Sequence, residues 1–118
     1  MRLAVVATHP IQYHAPWFRA LVAEGADLHV LFAVIPDASG QAEGFGGRFE
    51  WDVPLLEGYS WGVLPQLRAS PRLGSFAGLW SGSVGQALAA LSPDAVLLTG
   101  WNALPLVQGL RASIQLGL

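Results

Sequence analysis

At 118 residues the chain is sized for one domain with a modest core, and 53% hydrophobic against 12% charged residues excludes a disordered segment while leaving few charges to cover the surface, so an exposed apolar face is expected. The formal net charge is −2, and all six Lys/Arg positions are Arg with no basic block, which excludes a nucleic-acid footprint. There is no Cys, which excludes disulfides and thiolate metal sites.

Residues 3–7 form a short, continuous apolar run, Leu-Ala-Val-Val-Ala, which reads as a fully buried parallel strand. That run is too short for a signal peptide, and no stretch reaches the roughly 18 apolar residues that span a bilayer. The longest candidate, 95–110, is interrupted by Thr99, Gly100, Asn102, Pro105 and Gln108. A cytoplasmic protein with no transmembrane segment is the expectation. After the loop 8–15, Pro16 suits a first helical position, Trp17, Phe18, Leu21 and Val22 form an apolar stripe, and Gly25 suits the C-terminal cap. Residues 27–35 read as a second buried strand, ended by Pro36-Asp37, so the chain opens as a βαβ unit.

Gly40, Gly44, Gly46 and Gly47 mark a loop, and 48–53 alternates strictly as a half-exposed ribbon. A further extended stretch covers 60–64. From Ser75, a candidate N-cap, the apolar residues Phe76, Leu79, Trp80, Val84, Ala87, Leu88 and Leu91 keep helical spacing, which predicts one amphipathic helix through 91. Its glycines 78, 82 and 85 each cost it about 1 kcal/mol relative to Ala. Residues 95–98 read as another buried strand and 103–115 as a helix, with Pro105 tolerated in its first turn and Gly117 as its cap. The order βαβ, irregular β, αβα predicts an α/β, Rossmann-like three-layer αβα domain over residues 1–118, with a mostly parallel sheet and an open edge.

In such a sheet ligands bind beyond the carboxyl ends of the strands, which singles out the loops 8–16, 36–47 and 99–104. In the first, His9, Gln12, Tyr13 and His14 precede a helix whose free N–H groups would favour a phosphate. The competing reading is that His9, Gln12 and His14 only satisfy loop backbone groups. Two His five residues apart, without a third ligand, give no case for a metal, and no metal or cofactor is expected. The Gly-rich segment carries no nucleotide fingerprint and follows the second strand. It reads either as a surface loop or as an acceptor-binding loop. Phe45, Phe49, Trp51, Tyr59 and Trp61 could stack on sugar rings or form packing, and Asp52 reads as a solvated carboxylate. Trp101 and Asn102 leave the last strand at a pocket position, where Asn102 is also a candidate N-cap. His29, between apolar strand residues, reads as structural.

Three segments carry a resemblance. Residues 8–21 (THPIQYHAPWFRAL), 51–59 (WDVPLLEGY) and 93–102 (PDAVLLTGWN) resemble, in order, bacterial GT-B-fold glycosyltransferases related to family 4. The resemblance implies two Rossmann-like domains flanking a cleft, with an acceptor-side N-terminal domain and a donor-binding second domain for which this chain has no residues. It also implies retaining, metal-independent transfer from a nucleotide-sugar donor to a sugar or glycan acceptor, and it places His9, Gln12 and His14 as substrate-binding residues facing the cleft; Trp101 and Asn102 join them as expected substrate-binding residues by their position after the last strand. The catalytic residues are not identified by it. Relatives in this group commonly carry a Gly-rich turn where His9-Pro10-Ile11-Gln12 stands, and a His where Trp101-Asn102 stands. On this reading the 118 residues are inactive alone. Two rival expectations are a non-catalytic domain that forms a homodimer, or pairs with a partner chain, through its open sheet edge, and a small flavodoxin-like nucleotide binder.

Overall fold

The computed structural model describes residues 1–35 and 55–118. The predicted Gly-rich loop and the 48–53 ribbon, with Phe45, Phe49, Trp51 and Asp52, lie outside the described residues. The strands are β1 (Arg2–Ala7), β2 (Asp27–Phe32), β3 (Ser60–Val63) and β4 (Ala95–Leu98). The helices are α1 (His14–Ala23), α2 (Val84–Leu91) and α3 (Leu104–Gln115), with a single 3₁₀ turn at Phe76–Gly78.

The four strands form one sheet in the order β3-β2-β1-β4, and every pair is parallel. Continuous apolar runs become strands here because both faces of the sheet are covered. Val5, Ala7, Leu28, Val30 and Phe32 pack with Phe18 of α1 on one face. On the other, Ala4, Val6 and Leu31 pack with Val84 and Leu88 of α2 and Leu106 and Ala112 of α3. The result is a Rossmann-like three-layer fold. Strand β1 is central, and the chain leaves it toward β2 on one side and returns to β4 on the other.

Helix α1 stops where its sequence says it should. Gly25 takes φ 95°, its N–H donates to Val22 O, and Ala26 N–H donates to Leu21 O, which closes the helix with a left-handed glycine. Gly117 at φ 78° ends α3 in the same way, with N–H donors from Gly117 to Ile114 O and from Leu118 to Ser113 O. Two boundaries differ from expectation. Helix α1 begins two residues before Pro16, and β2 ends at Phe32, although Ala33 and Val34 still donate to Ala7 O and Thr8 O.

The single helix expected from Ser75 to Leu91 is a correction. Only Phe76–Gly78 coils as a 3₁₀ turn. Leu79 is extended, Ser81 pairs antiparallel with Gln66, Ser83 turns left-handed, and the α-helix starts at Val84. Ser75 precedes the 3₁₀ turn but makes no side-chain cap. The chain is held out of the helix by partners from elsewhere. Gln66 Oε1 accepts from Trp80 N–H at 2.8 Å, and the Gln108 amide brackets Ser81, accepting from its N–H at 3.1 Å and donating to its carbonyl at 2.8 Å. Gly78 sits so close to the Arg72 carbonyl that no Cβ fits. Poor helix formers and better hydrogen bonds from outside together outweigh the apolar spacing.

At the amino ends of the strands, Arg2 ties the sheet together. Its Nε meets Asp27 Oδ2 at 2.9 Å, its guanidinium donates to Leu91 O at 2.7 Å, and its N–H donates to Asp94 Oδ2 at 2.7 Å. At the other margin, β4 has no strand on its outer side among the described residues, and Leu97 is 45% exposed.

Candidate functional site

The carboxyl ends of β1 and β4 lie side by side. The last paired residues are Val6 and Leu98, and the contact continues as Thr99 donates to Val6 O from both its N–H (3.2 Å) and its Oγ1 (3.3 Å). The loops 8–13 and 99–103 therefore leave neighbouring strands at the same rim, where the strand order reverses and open α/β sheets take ligands. Sequence reasoning passed over Thr8 and Thr99. Each is the first polar residue after an apolar strand, and that was the available signal.

His9 Nδ1 shares a hydrogen bond with Thr8 Oγ1 at 2.9 Å. Burial lowers its pKa, and the nearby His14 lowers it further. His14 is the first residue of α1 and lies against Trp17 and Phe18, with ring centroids 5.5 and 5.9 Å away; burial lowers its pKa too. Both imidazoles thus favour the neutral form, able to donate one hydrogen bond and accept another. Gln12 has no hydrogen-bond partner among the described residues. None of the three side chains bonds the loop backbone, so the capping alternative is not what the structure shows. Trp101, 85% exposed, and Asn102 line a pocket of about 360 Å³ with Thr99 and Gly100. Asn102 is not the helix cap, because α3 starts from Ala103 with no side-chain cap at all. The fold thus brings His9 and His14 together, and Trp101 and Asn102 together. Among the described residues no hydrogen bond or ring contact joins one loop to the other.

The expected phosphate site at the start of α1 needs correction. The N–H groups of His14 and Ala15 both donate to Ile11 O at 3.2 Å, and Pro16 has no N–H. The donors that a phosphate would use are consumed or missing.

The remaining candidates are structural. Tyr59 stacks edge-on against Phe18 at 5.3 Å and donates its phenol to Leu55 O. Trp61 leans on Phe32 at 6.4 Å and donates to Leu56 O at 3.1 Å. His29 bonds Ser60 Oγ at 2.6 Å and so ties β2 to β3. Among the described residues no group of three His, Asp or Glu could hold a metal ion, and no helix is long and apolar enough to cross a membrane.

The loops 8–13 and 99–103 hold no charged residue. What they offer is neutral imidazole, amide and hydroxyl groups beside two exposed aromatic rings, Tyr13 (72% exposed) and Trp101. Such a rim suits a neutral ligand rich in hydroxyls, which rings stack on and neutral donors and acceptors orient. No protein-family model, curated protein or solved structure matches the chain.

Proposed function

We propose that this chain is the acceptor-side unit of a nucleotide-sugar glycosyltransferase, and that the rim between β1 and β4 receives a sugar or glycan acceptor. One observation carries the reading: two of the three segments that resemble such enzymes, 8–21 and 93–102, supply the two loops of one uncharged, aromatic-bearing rim at the switch in strand order. Donor binding is assigned to a second domain, so the chain alone is expected to bind acceptor without transferring sugar.

Titration of the full chain with a panel of neutral mono- and oligosaccharides, read by tryptophan fluorescence, tests this. A saturable change is expected, weakened several-fold in Trp101→Ala, since an aromatic contact is worth about 0.5–1.5 kcal/mol. His9→Ala is expected to weaken it by a similar factor. A flat titration, or a response that Trp101→Ala leaves intact, sinks the reading.

A second reading rests on β4. Its outer side, unpaired among the described residues, and half-exposed Leu97 favour an interaction domain that dimerises through the sheet edge. Light scattering that finds only monomer across concentration removes it.

A further inference from the structure

A second concave feature lies between the first turn of α2 and the face of α3 that carries Arg111. It is a cleft of about 310 Å³ whose lining includes Ser81, Ser83, Val84, Gly85, Gln86 and Arg111, and no carboxylate.

Its backbone is arranged to donate. The first helical N–H of α2 with a partner is that of Ala87, which donates to Ser83 O at 2.9 Å. The preceding N–H groups of Val84, Gly85 and Gln86 have no partner among the described residues. Ser83 holds them together: at φ 57°, ψ 28° it is left-handed, and the helical residues after it complete a concave set of N–H groups of the kind that cradles anions. That conformation is unfavourable for a residue with a Cβ, and the Ser83 side chain makes no capping bond in return. Gly85 has no packing reason to be glycine, because a Cβ there would meet nothing within 4 Å. Its missing side chain leaves the backbone open to close approach.

An independent observation points to a ligand. Ser81 lines the same cleft and is only 2% exposed, yet its Oγ has no hydrogen-bond partner among the described residues. Both of its backbone groups are satisfied by Gln108, so the hydroxyl is the one orphan at this residue. A buried, unpaired hydroxyl is unfavourable unless something bonds it. Across the cleft, Arg111 is the sole charged residue of the lining and has no partner among the described residues. A guanidinium presents paired N–H donors that match phosphate oxygens.

We propose that this cleft binds a phosphate group, as inorganic phosphate or as the phosphomonoester of a small molecule or lipid headgroup. The N–H groups of residues 84–86 and Ser81 Oγ donate to its oxygens, and Arg111 supplies the balancing charge. The site shares no residue with the rim between β1 and β4, and it does not depend on the sugar-transfer reading.

The test is a ¹H–¹⁵N NMR titration of the full chain at constant ionic strength, with chloride as reference. The probes are inorganic phosphate, glycerol phosphate, and phosphatidylcholine vesicles with and without phosphatidic acid. Saturable shifts are expected at the amides of Val84, Gly85 and Gln86. Arg111→Gln is expected to weaken binding about tenfold or more, as befits loss of a charged hydrogen bond. Ser81→Ala is expected to weaken binding several-fold without lowering the thermal midpoint, because the hydroxyl makes no bond in the free protein. Arg72→Gln removes the same charge outside the cleft and is expected to change little. Response to the soluble probes assigns a free phosphate or phosphate ester, and response only to phosphatidic acid assigns a lipid headgroup. Absence of saturable shifts with every probe overturns the proposal, as does an equal loss in Arg72→Gln and Arg111→Gln.

Discussion

Helices α1 and α2 both follow a strand and both present a first turn of backbone amides, but those amides meet different surroundings. At α1 the Ile11 carbonyl takes two of them and Pro16 removes a third. At α2 three in succession have no acceptor among the described residues, behind a left-handed Ser83 and beside a buried hydroxyl that likewise has no partner among them. The start of α1 stands at the rim between β1 and β4; the start of α2 lies against α3, with Ser81 beside Gln66 past the end of β3. Position at the strand ends therefore does not make a helix an anion site. The few residues before the first turn decide it, by using up its donors or leaving them free.

Four measurements would break or sharpen that contrast. The largest effect is expected at the anchor of α1: Phe18→Ala removes a buried ring and its contact with Tyr59, and is expected to lower stability in urea by about 3–5 kcal/mol. Next come the left-handed positions, which should respond with opposite signs. Gly25→Ala puts a Cβ at φ 95° after α1 and is expected to cost about 1–2 kcal/mol, whereas Ser83→Gly relieves φ 57° before α2 and is expected to raise stability by about 0.5–1 kcal/mol. Should Ser83→Gly destabilise, some unseen bond of its side chain holds the turn. Gly85→Ala is expected to add about 0.5–1 kcal/mol, since the new methyl meets open space and a helix gains a better former.

The smallest effect is a pH dependence confined to the α1 side and the sheet. Burial lowers the pKa values of His9, His14 and His29 from 6.5. The unfolded chain therefore binds protons first as pH falls through 6.5, and stability is full above that value and declines below it. Urea midpoints measured downward from pH 7 should show the decline, and His9→Asn should flatten it. A midpoint that rises on acidification contradicts the buried, neutral imidazoles.

Much of this was legible in the sequence, for physical reasons that also mark where reading stops. Residues 3–7 announce a strand because a strand covered on both faces has no room for polar side chains; residues 95–98 carry the same apolar run, but β4 stands at the margin of the sheet and is only half-buried, not the buried strand expected, with Leu97 45% exposed. Gly25 announces the end of α1 because a left-handed position favours glycine. The pairing of loops 8–13 and 99–103 at one rim followed from the alternation of elements alone. The break before α2 was not legible. Apolar spacing from Phe76 to Leu91 fits a helix, and nothing local reports that Gln66 and Gln108 compete for the backbone of Trp80 and Ser81. The cleft at α2 was hidden for the same reason, since Arg111 arrives from another helix. The anion reading at α1 failed over Ile11, whose carbonyl no composition rule would have placed.

The central place of β1 also governs how the molecule comes together. Its partner on one side follows 25 residues later, but its bond to Asp94 on the other spans 92. A nascent chain can therefore pair β1 with β2 early, while the flank of β1 meant for β4 stays uncovered until nearly a hundred residues have been made. Closing so long a loop raises the contact order and slows folding, and a bare strand flank invites pairing with other chains meanwhile. The Arg2 cluster, which joins β1 to Asp27 and Asp94 at once, is then a latch that only the late-arriving strand can close.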